Sequence, residues 1–287
     1  QGLFVTPYPI AVSPTPPQPQ LLKGMTGQVW SLTEIDGTLF CCSDNGTYIV
    51  RGMTAEHISN TVGTWKVMLL PQRPDCLIGC DYTGFFVLQR QGNTYRLLHR
   101  IKDIDVVTGE FLVDEDGTLW VSHWQKGVYH IQLSNDLTKT VNTEFFNKGH
   151  GLLMDEGNLL CSLDGQVYVS CVDGFYSYDR QTHQLVHAKE KNDIFATYGT
   201  PLRVSRTPKG DLWAYKQNFL ALAKRTKDGK YHVDSLSFRH ACPLVHVPSS
   251  NLCYPDADHT LICANEGFLL FNNQYHDKSL PALTYVR

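Results

Sequence analysis

The chain has 287 residues, of which 42% are hydrophobic and 18% are charged, and its formal net charge at pH 7 is −3. This composition suits a packed core, and because there is no basic excess or Lys/Arg run, it argues against nucleic-acid binding by this segment. No apolar stretch of the sequence approaches the roughly 18–20 residues that a membrane-spanning helix needs.

Residues 1–26 have the pattern of a short edge strand followed by a linker. Gly2–Val5 is predicted to be a strand, and the prolines that follow it exclude a central strand. We interpret the segment as two strands, C and D, of an incomplete repeat unit together with a Pro-rich linker. The missing strands are expected upstream of Gln1, so the natural protein is expected to be longer, in agreement with the absence of an initiator Met. The prolines are Pro7, Pro9, Pro14, Pro16, Pro17 and Pro19.

From residue 27 onward, a turn–strand–turn–strand pattern repeats about every 40–50 residues. Its clearest copy begins at Asp116 and ends at Ile131. The first column of the repeat is the apolar residue after the first turn: Leu39, Leu77, Leu119, Val167, Leu212 and Leu261. The second column lies in the second turn and is Gly in every copy but one: Gly46, Gly84, Gly127, Gly174, Asn218 and Gly267. Asn is the residue that best tolerates the left-handed region after Gly, so the exception preserves the turn.

Each repeat is predicted to form four short strands, A to D in chain order. In the first repeat they are Val29–Glu34, Leu39–Ser43, Thr47–Arg51 and a weaker strand near His57–Ser59. Four strands at this period are typical of a β-propeller blade, whereas a helical repeat would need apolar residues at helical spacing. We therefore predict an all-β fold, a β-propeller with six complete four-stranded blades plus part of a seventh. The blades occupy residues 27–287, with 280–287 as the last strand or the lead into a following β-sandwich.

Three polar segments between the strands are predicted to be connections. Residues 52–63 are predicted to be a loop with a weak strand, and residues 134–150 and 187–200 are predicted to be long connections. Long loops on a rigid scaffold are where binding residues usually lie.

Nine cysteines are scattered along the chain without a disulfide framework or a CxxC metal motif. Most of them fall in predicted strands A and B, where a free thiol behaves as a small buried hydrophobic group. Packing is the favoured interpretation, and one or two disulfides are the alternative.

No catalytic motif of the common hydrolase, nucleotide-binding or metalloprotease types is present. His240, Cys242 and His246 lie close together in sequence, but a zinc site would need further ligands that nothing signals, so a loop followed by a strand is the favoured interpretation. No metal and no cofactor are predicted.

In a propeller, the D-to-A and B-to-C connections of every blade emerge on one face around the channel. Aromatic rings there can cover the apolar faces of a sugar while polar groups satisfy its hydroxyls. The alternative is that Trp30 and Trp65 are wedges packed between blades. The predicted ligand-binding residues are Trp30, Trp65, Tyr82, His123, Trp124, Arg203 and Lys216. The same face is predicted to collect Asp44, Lys126 and Glu266.

Several of these segments resemble the two-component regulator propeller repeats found in the periplasmic sensor domains of Bacteroides-type hybrid two-component and one-component regulators. The segment with the highest specificity is Asp116–Ser134, which contains Trp-Val-Ser-His and Lys-Gly-Val-Tyr. The resemblance covers residues 27–273. The other segments are Gln28–Leu32 with Asp44–Thr47, and Gly63–Trp65 with Asp81–Gly84.

The resemblance implies a particular domain order. In that family two propellers precede an immunoglobulin-like β-sandwich known for three tyrosines, and a membrane helix and a cytoplasmic output module follow. The sensor detects a breakdown product of a complex glycan and switches on genes for its use. This chain is then expected to be most of the second propeller, with Leu280–Arg287 leading into the sandwich. Two positions depart from the pattern, Asn218 and Asp258-His259, and no ligand residue of the family can be carried over.

The leading hypothesis is a non-enzymatic periplasmic sensor module of a transcription-regulating signal protein, which binds an oligosaccharide or other small polar ligand. The full-length protein is expected to be a homodimer that reaches the membrane only through a helix beyond this C-terminus. A glycan-active lyase or hydrolase is the first alternative, which predicts clustered carboxylates or a His/Tyr/Arg set; Glu110, Asp114 and Glu115 are its only signal. A propeller used purely for protein interaction or dimerisation is the second.

Overall fold

A computed structural model describes residues 2–7, 18–195, 203–216, 218–245, 252–264, 267–274 and 283–286. Of residues 283–286 it describes the backbone alone. Several sequence-based predictions fall on residues outside these ranges. These residues are Pro9, Pro14, Pro16, Pro17, His246, Glu266 and Leu280.

The described residues form six four-stranded antiparallel sheets, in each of which consecutive strands are hydrogen-bonded neighbours. This meander is the blade of a β-propeller, and it confirms the predicted fold class and the six complete blades. The described residues include one α-helix and two short 3₁₀ helices, and none of these helices has the length and apolar character needed to cross a membrane.

The first three blades follow one another without any helix between them. Blade one consists of β3 (Val29–Ile35), β4 (Thr38–Ser43), β5 (Gly46–Arg51) and β6 (Thr54–Ser59). Blade two consists of β7 (Lys66–Leu70), β8 (Arg73–Asp81), β9 (Gly84–Gln91) and β10 (Thr94–Arg100). Blade three consists of β11 (Phe111–Val113), β12 (Leu119–His123), β13 (Gly127–Leu133) and β14 (Thr140–Phe146).

In the last three blades, short helices lie in the connections that follow blades four and five. Blade four consists of β15 (Leu159–Leu163), β16 (Gln166–Cys171), β17 (Gly174–Asp179) and β18 (Gln184–His187), and helix α1 (Lys189–Phe195) follows it. Blade five consists of β19 (Arg203–Arg206), β20 (Leu212–Lys216), β21 (Phe219–Arg225) and β22 (Tyr231–Asp234), followed by two 3₁₀ turns, Leu236–Phe238 and Cys242–Leu244. Blade six consists of β23 (Leu252–Cys253), β24 (His259–Ala264), β25 (Gly267–Asn272) and β26 (Leu283–Val286).

Two strands near the N-terminus form a separate small sheet. β1 (Phe4–Val5) pairs antiparallel with β2 (Gln20–Leu21), so a strand lies within the predicted segment Gly2–Val5. The following residues Leu22 and Met25 are buried against blade one. The assignment of this sheet to part of a seventh blade, the boundary at residue 26 and the strands upstream of Gln1 stay predictions.

The recurrence of Gly in the second-turn column of the repeat has a backbone cause in the structure. Gly127 has φ of +125°, and a Cβ atom placed there would lie 2.2 Å from the carbonyl oxygen of Phe146, at the end of the fourth strand. Only Gly allows the outer strand to come this close to the turn. Asn218, the exception in the column, has φ of +58°, which confirms the left-handed conformation inferred from its residue type.

The chain divides into two compact units, each with its own buried clusters. The first consists mainly of Pro17–Leu160 and includes a cluster around Phe85 and Phe111, whose rings meet edge to face at 5.2 Å. The second consists mainly of Tyr168–Arg287. Its clusters are centred on Phe175 with Phe195 and on Trp213 with Phe238 and Phe271.

Two of the predicted connections contain regular structure. Residues 134–150 include the fourth strand of blade three, β14, and residues 187–200 include α1, so the prediction of plain connections was wrong at both places. In β14 only Phe146 is buried, since the outermost strand of a blade faces solvent and lacks an apolar pattern. The weak strand in residues 52–63 is confirmed as β6.

Candidate functional site

The structure brings three of the seven predicted ligand residues together in the first unit. The rings of Trp30 and Trp65 lie 4.6 Å apart between centroids, and Trp65 meets Tyr82 edge to face at 5.2 Å. Trp30 comes from the first strand of blade one, Trp65 precedes the first strand of blade two, and Tyr82 lies in the β8–β9 turn. We call this group, with Asp44, the aromatic cluster.

Asp44, in the β4–β5 turn of blade one, fixes two of the three rings. Its Oδ1 accepts hydrogen bonds from Trp30 Nε1 and from the Tyr82 hydroxyl, each at 3.0 Å. Its Oδ2 accepts a longer bond of 3.3 Å from the Gln28 backbone N–H. Burial, and then the hydrogen bond and charge of Asp44, raise the pKa of Tyr82, so its hydroxyl remains a protonated donor.

The backbone of the segment between blades one and two is hydrogen-bonded to both blades beside the cluster. Gly63 N–H donates to the Asp44 carbonyl at 2.8 Å, and Trp65 N–H donates to the Cys80 carbonyl at 2.9 Å. A Cβ on Gly63 would lie 2.2–2.4 Å from three atoms of the Tyr82 ring, so the Gly63 backbone packs directly against one face of that ring. These contacts fix the Tyr82 ring against the backbone that leads into Trp65.

The cluster is open to solvent chiefly at Tyr82, which is 46% exposed, while Trp30 and Trp65 are partly buried. Trp65 Nε1 is buried and has no hydrogen-bond partner among the described residues. The partial burial of Trp30 and Trp65 is what the alternative interpretation, packing of these tryptophans between blades, predicts. The arrangement offers a fixed aromatic surface beside a carboxylate, which suits stacking of a sugar ring.

His123 and Trp124 lie in the β12–β13 turn of blade three. Trp124 is 72% exposed, and its carbonyl accepts the Gly157 N–H at 3.1 Å. His123 Nδ1 accepts the Gln125 N–H at 3.2 Å, so the imidazole caps its own turn. Over the described part of the chain, no ring contact or hydrogen bond joins either side chain to the aromatic cluster.

Arg203 and Lys216 belong to the second unit. Arg203 opens β19 and is paired in register with Tyr215. Lys216 ends β20, and its Nζ lies 5.7 Å from the centroid of the Phe219 ring. Their assignment as ligand residues stays a prediction, and Glu266 of the same predicted face lies outside the described residues.

A second polar–aromatic group, in blade four, was missed by the sequence analysis. The Tyr176 hydroxyl donates to Asp173 Oδ2 at 2.6 Å, and the Tyr176 and His187 rings lie 4.2 Å apart. Its signal is a Tyr two residues after the second-turn Gly, which also occurs in blade one, where Tyr48 contacts His57 at 4.7 Å.

The blade-four group has residue types that an acid–base pair would use, but its electrostatics oppose that role. Burial, followed by the bond to Asp173, raises the pKa of Tyr176, whereas a catalytic tyrosine base needs a lowered pKa. Two of the three carboxylates noted in the sequence accept backbone hydrogen bonds: Glu110 Oε1 accepts the Leu160 N–H at 3.1 Å, and Asp114 Oδ1 accepts the Glu115 N–H at 2.9 Å. Within the described ranges, no three His, Cys, Asp or Glu side chains are grouped to hold a metal ion.

The repeated blades and the aromatic cluster define a β-propeller with a candidate binding surface at its strand ends. Solved structures with this fold include the extracellular domain of BT4673, a one-component system from B. thetaiotaomicron, with TM-score 0.58, 14% identity, and coverage of 90% of this chain and 33% of that chain. The extracellular domain of the hybrid two-component system BT3049 from the same organism has TM-score 0.58, 14% identity, and coverage of 90% and 35%. A protein from Lactobacillus plantarum has TM-score 0.58, 15% identity, and coverage of 94% and 86%.

These neighbours include the class of sensor domain that the sequence motifs resemble. At identities of 14–15% the likeness shows the fold. The chain spans about a third of the length of the B. thetaiotaomicron domains that it matches. No protein-family model and no curated protein matches it by sequence.

Proposed function

We propose that this chain is an extracytoplasmic ligand-sensing propeller of a signal-transduction protein that regulates transcription, and that it responds to a glycan breakdown product. The observation that carries the proposal is the aromatic cluster, in which Asp44 holds Trp30 and Tyr82 at 3.0 Å while Tyr82 is 46% exposed. The solved neighbours from B. thetaiotaomicron are extracellular domains of one-component and hybrid two-component systems, which supports the sensor assignment.

The chemistry of the cluster favours a saccharide over other polar ligands. A sugar ring has an apolar face that stacks on an aromatic ring and hydroxyls that bond to neighbouring polar groups. Because the Gly63 backbone covers one face of the Tyr82 ring, the opposite face supplies the stacking surface. Rigid placement lowers the entropic cost of binding.

The proposal describes binding without turnover. The ligand acts by biasing a homodimer between two arrangements. The raised pKa of Tyr176 and the structural use of Glu110 support a binding role over the lyase or hydrolase alternative.

The proposal is tested by thermal-shift screening against xylo-, manno-, arabino- and chondroitin oligosaccharides, with product analysis of each mixture. A ligand that binds only the native state, at a hundredfold excess over its Kd, adds about 2.7 kcal/mol to the free energy of unfolding. We expect one sugar class to raise the Tm without any product. Release of a shortened saccharide would show an enzyme instead.

A pair of variants locates the site. Tyr82→Ala removes the stacking ring and is expected to weaken binding about tenfold, since an aromatic contact contributes about 0.5–1.5 kcal/mol beyond its buried area. Tyr82→Phe keeps the ring but loses the bond to Asp44, and is expected to retain most of the affinity. Unchanged affinity of Tyr82→Ala, measured by calorimetry, would place the ligand elsewhere.

A further inference from the structure

The second unit contains a cavity of about 750 Å³ that is separate from the aromatic cluster and from the blade-four group. It is lined by the turn between β15 and β16, by α1, and by blade five, which contributes Arg206, Arg225 and Lys230. Its size suits a small molecule, and its walls are strongly charged.

The blade-five wall holds two arginines on either side of one glycine. A Cβ placed on Gly210 would lie 3.9 Å from Arg206 Nε and Nη2 and also 3.9 Å from Arg225 Cδ. Gly210 therefore lies beside both arginine side chains. Two cationic side chains beside one another favour the binding of an anion between them.

The compensation inside the chain is incomplete. Arg206 Nη1 forms an ion pair with Asp164, but Arg206 Nε is buried and has no hydrogen-bond partner in the described part of the chain. Arg225 donates its backbone N–H to Asp211 at 2.8 Å, and no described residue pairs with its guanidinium group. A buried donor without a partner is costly, and guanidinium groups match the two oxygens of a carboxylate, sulfate or phosphate.

The lining residues from the β15–β16 turn and from α1 limit which other groups the ligand can carry. Lys191 Nζ lies 3.4 Å from Asp164, so that carboxylate is neutralised by two cations. Glu190 and Asp193 also line the cavity, and as residues three apart they share one face of α1. They repel a second anionic group and accept hydrogen bonds from hydroxyl or ammonium groups.

We propose that this cavity binds a small molecule with one oxyanion group, held by Arg206 and Arg225, and with hydrogen-bond donors that face Glu190 and Asp193. The site is independent of the proposed function, because none of its residues belongs to the aromatic cluster.

The test uses the full chain and four probes built on one ring: glucose, glucuronate, glucose 6-sulfate and glucose 6-phosphate. Binding is measured by calorimetry at constant ionic strength, so that general salt effects are equal. We expect at least one charged probe to bind while glucose does not, and the tightest probe to identify the oxyanion as carboxylate, sulfate or phosphate.

Arg225→Gln is expected to lower the affinity for the tightest-binding probe at least tenfold. The matched control is Arg96→Gln, which removes the same charge from an exposed position of β10 and is expected to change the affinity less than twofold. Lys230→Gln is a second variant at the rim, where the Lys230 side chain is 84% exposed, and it is expected to weaken binding of the probe two- to threefold.

Three results would contradict the proposed site: glucose binding as tightly as the tightest charged probe, no binding of any charged probe at millimolar concentration, or wild-type affinity of the Arg225→Gln variant for that probe. Tyr82→Ala separates the two proposals. This variant is expected to leave the affinity for the charged probe unchanged and to lower the affinity for the oligosaccharide at the aromatic cluster. Either proposal can therefore fail without the other.

Discussion

At the scale of single residues, one buried ion pair stabilises the β8–β9 turn that carries Tyr82. Asp81 is fully buried, and Arg100 holds it with two bonds, of 3.0 Å to Oδ1 and 2.6 Å to Oδ2. The Thr83 N–H and hydroxyl each donate to Oδ1 at 2.8 Å. Burial alone would raise the pKa of Asp81, but the bonds from Arg100 and Thr83 outweigh it and lower the pKa below the usual 3.8.

Arg100→Gln is expected to cost about 2–3 kcal/mol of unfolding free energy at pH 7. The cost is below the roughly 3–5 kcal/mol of a fully buried pair, because Arg100 is 44% exposed and its charge is screened by solvent. The measurement is urea unfolding at several pH values. Arg96→Gln, on the same strand, serves as the control and is expected to stay within about 0.5 kcal/mol of wild type.

The pH dependence of this variant has a definite sign. Since the folded-state pKa of Asp81 is lowered, the pair contributes stability above the unfolded pKa near 3.8, and this contribution is lost as pH falls through the folded pKa. The stability difference between wild type and Arg100→Gln should therefore narrow below pH 4. A difference that is constant across the acid range would contradict the assigned role.

At the scale of elements, α1 depends on tertiary contacts, since a helix of seven residues is too short to be stable in water by itself. Phe195 is 1% exposed in the core of the second unit. The Asn192 side chain accepts the Phe175 N–H at 2.7 Å and donates to the Phe175 carbonyl at 3.1 Å, like an added strand residue. The connection is thereby tied to β17.

Asn192→Ala is expected to lower the unfolding free energy by about 1–3 kcal/mol, because it leaves the Phe175 backbone N–H without its partner. Faster hydrogen exchange at the Phe175 amide is the direct readout. Lys189→Ala, at an exposed position of the same helix, is the matched control and should leave that exchange rate unchanged. Equal exchange in both variants would show that α1 is held by Phe195 alone.

At the scale of the whole molecule, all nine cysteines are free thiols and seven of them are buried. This agrees with packing, the favoured interpretation of their scattered spacing. Burial is the largest cause that raises the pKa of the Cys41, Cys42 and Cys80 thiols to about 12. Thiolate, the reactive form, is therefore scarce at these three positions.

Native alkylation with iodoacetamide near neutral pH is expected to modify at most Cys253 and Cys263, the exposed and the partly exposed thiol. Mass spectrometry of the denatured chain, in which all nine thiols are accessible, provides the control. Rapid native labelling of Cys41, Cys42 or Cys80, or disulfide-linked peptides under non-reducing conditions, would contradict this packing.

The sequence by itself determined the blade count, the fold class and most of strands A to C. These features rest on local chemistry, since turn residues such as Gly127 and Asn218 are dictated by backbone conformation and recur with the period of the fold. The outer strand β14 was not predicted because only one of its residues is buried, so it lacks an apolar pattern. Helix α1 was not predicted because its stability comes from partners far away in the sequence.

Only the tertiary structure decided which predicted ligand residues meet. Trp30, Trp65 and Tyr82 are separated by up to 52 positions (82 − 30), and their convergence on Asp44 depends on how two blades pack. The charged cavity beside Arg206 and Arg225 likewise joins residues of blade four, α1 and blade five that share no local pattern. The periodicity of the strands and turns depends on residues close together in sequence, whereas a binding site is formed by contacts between residues far apart in the chain.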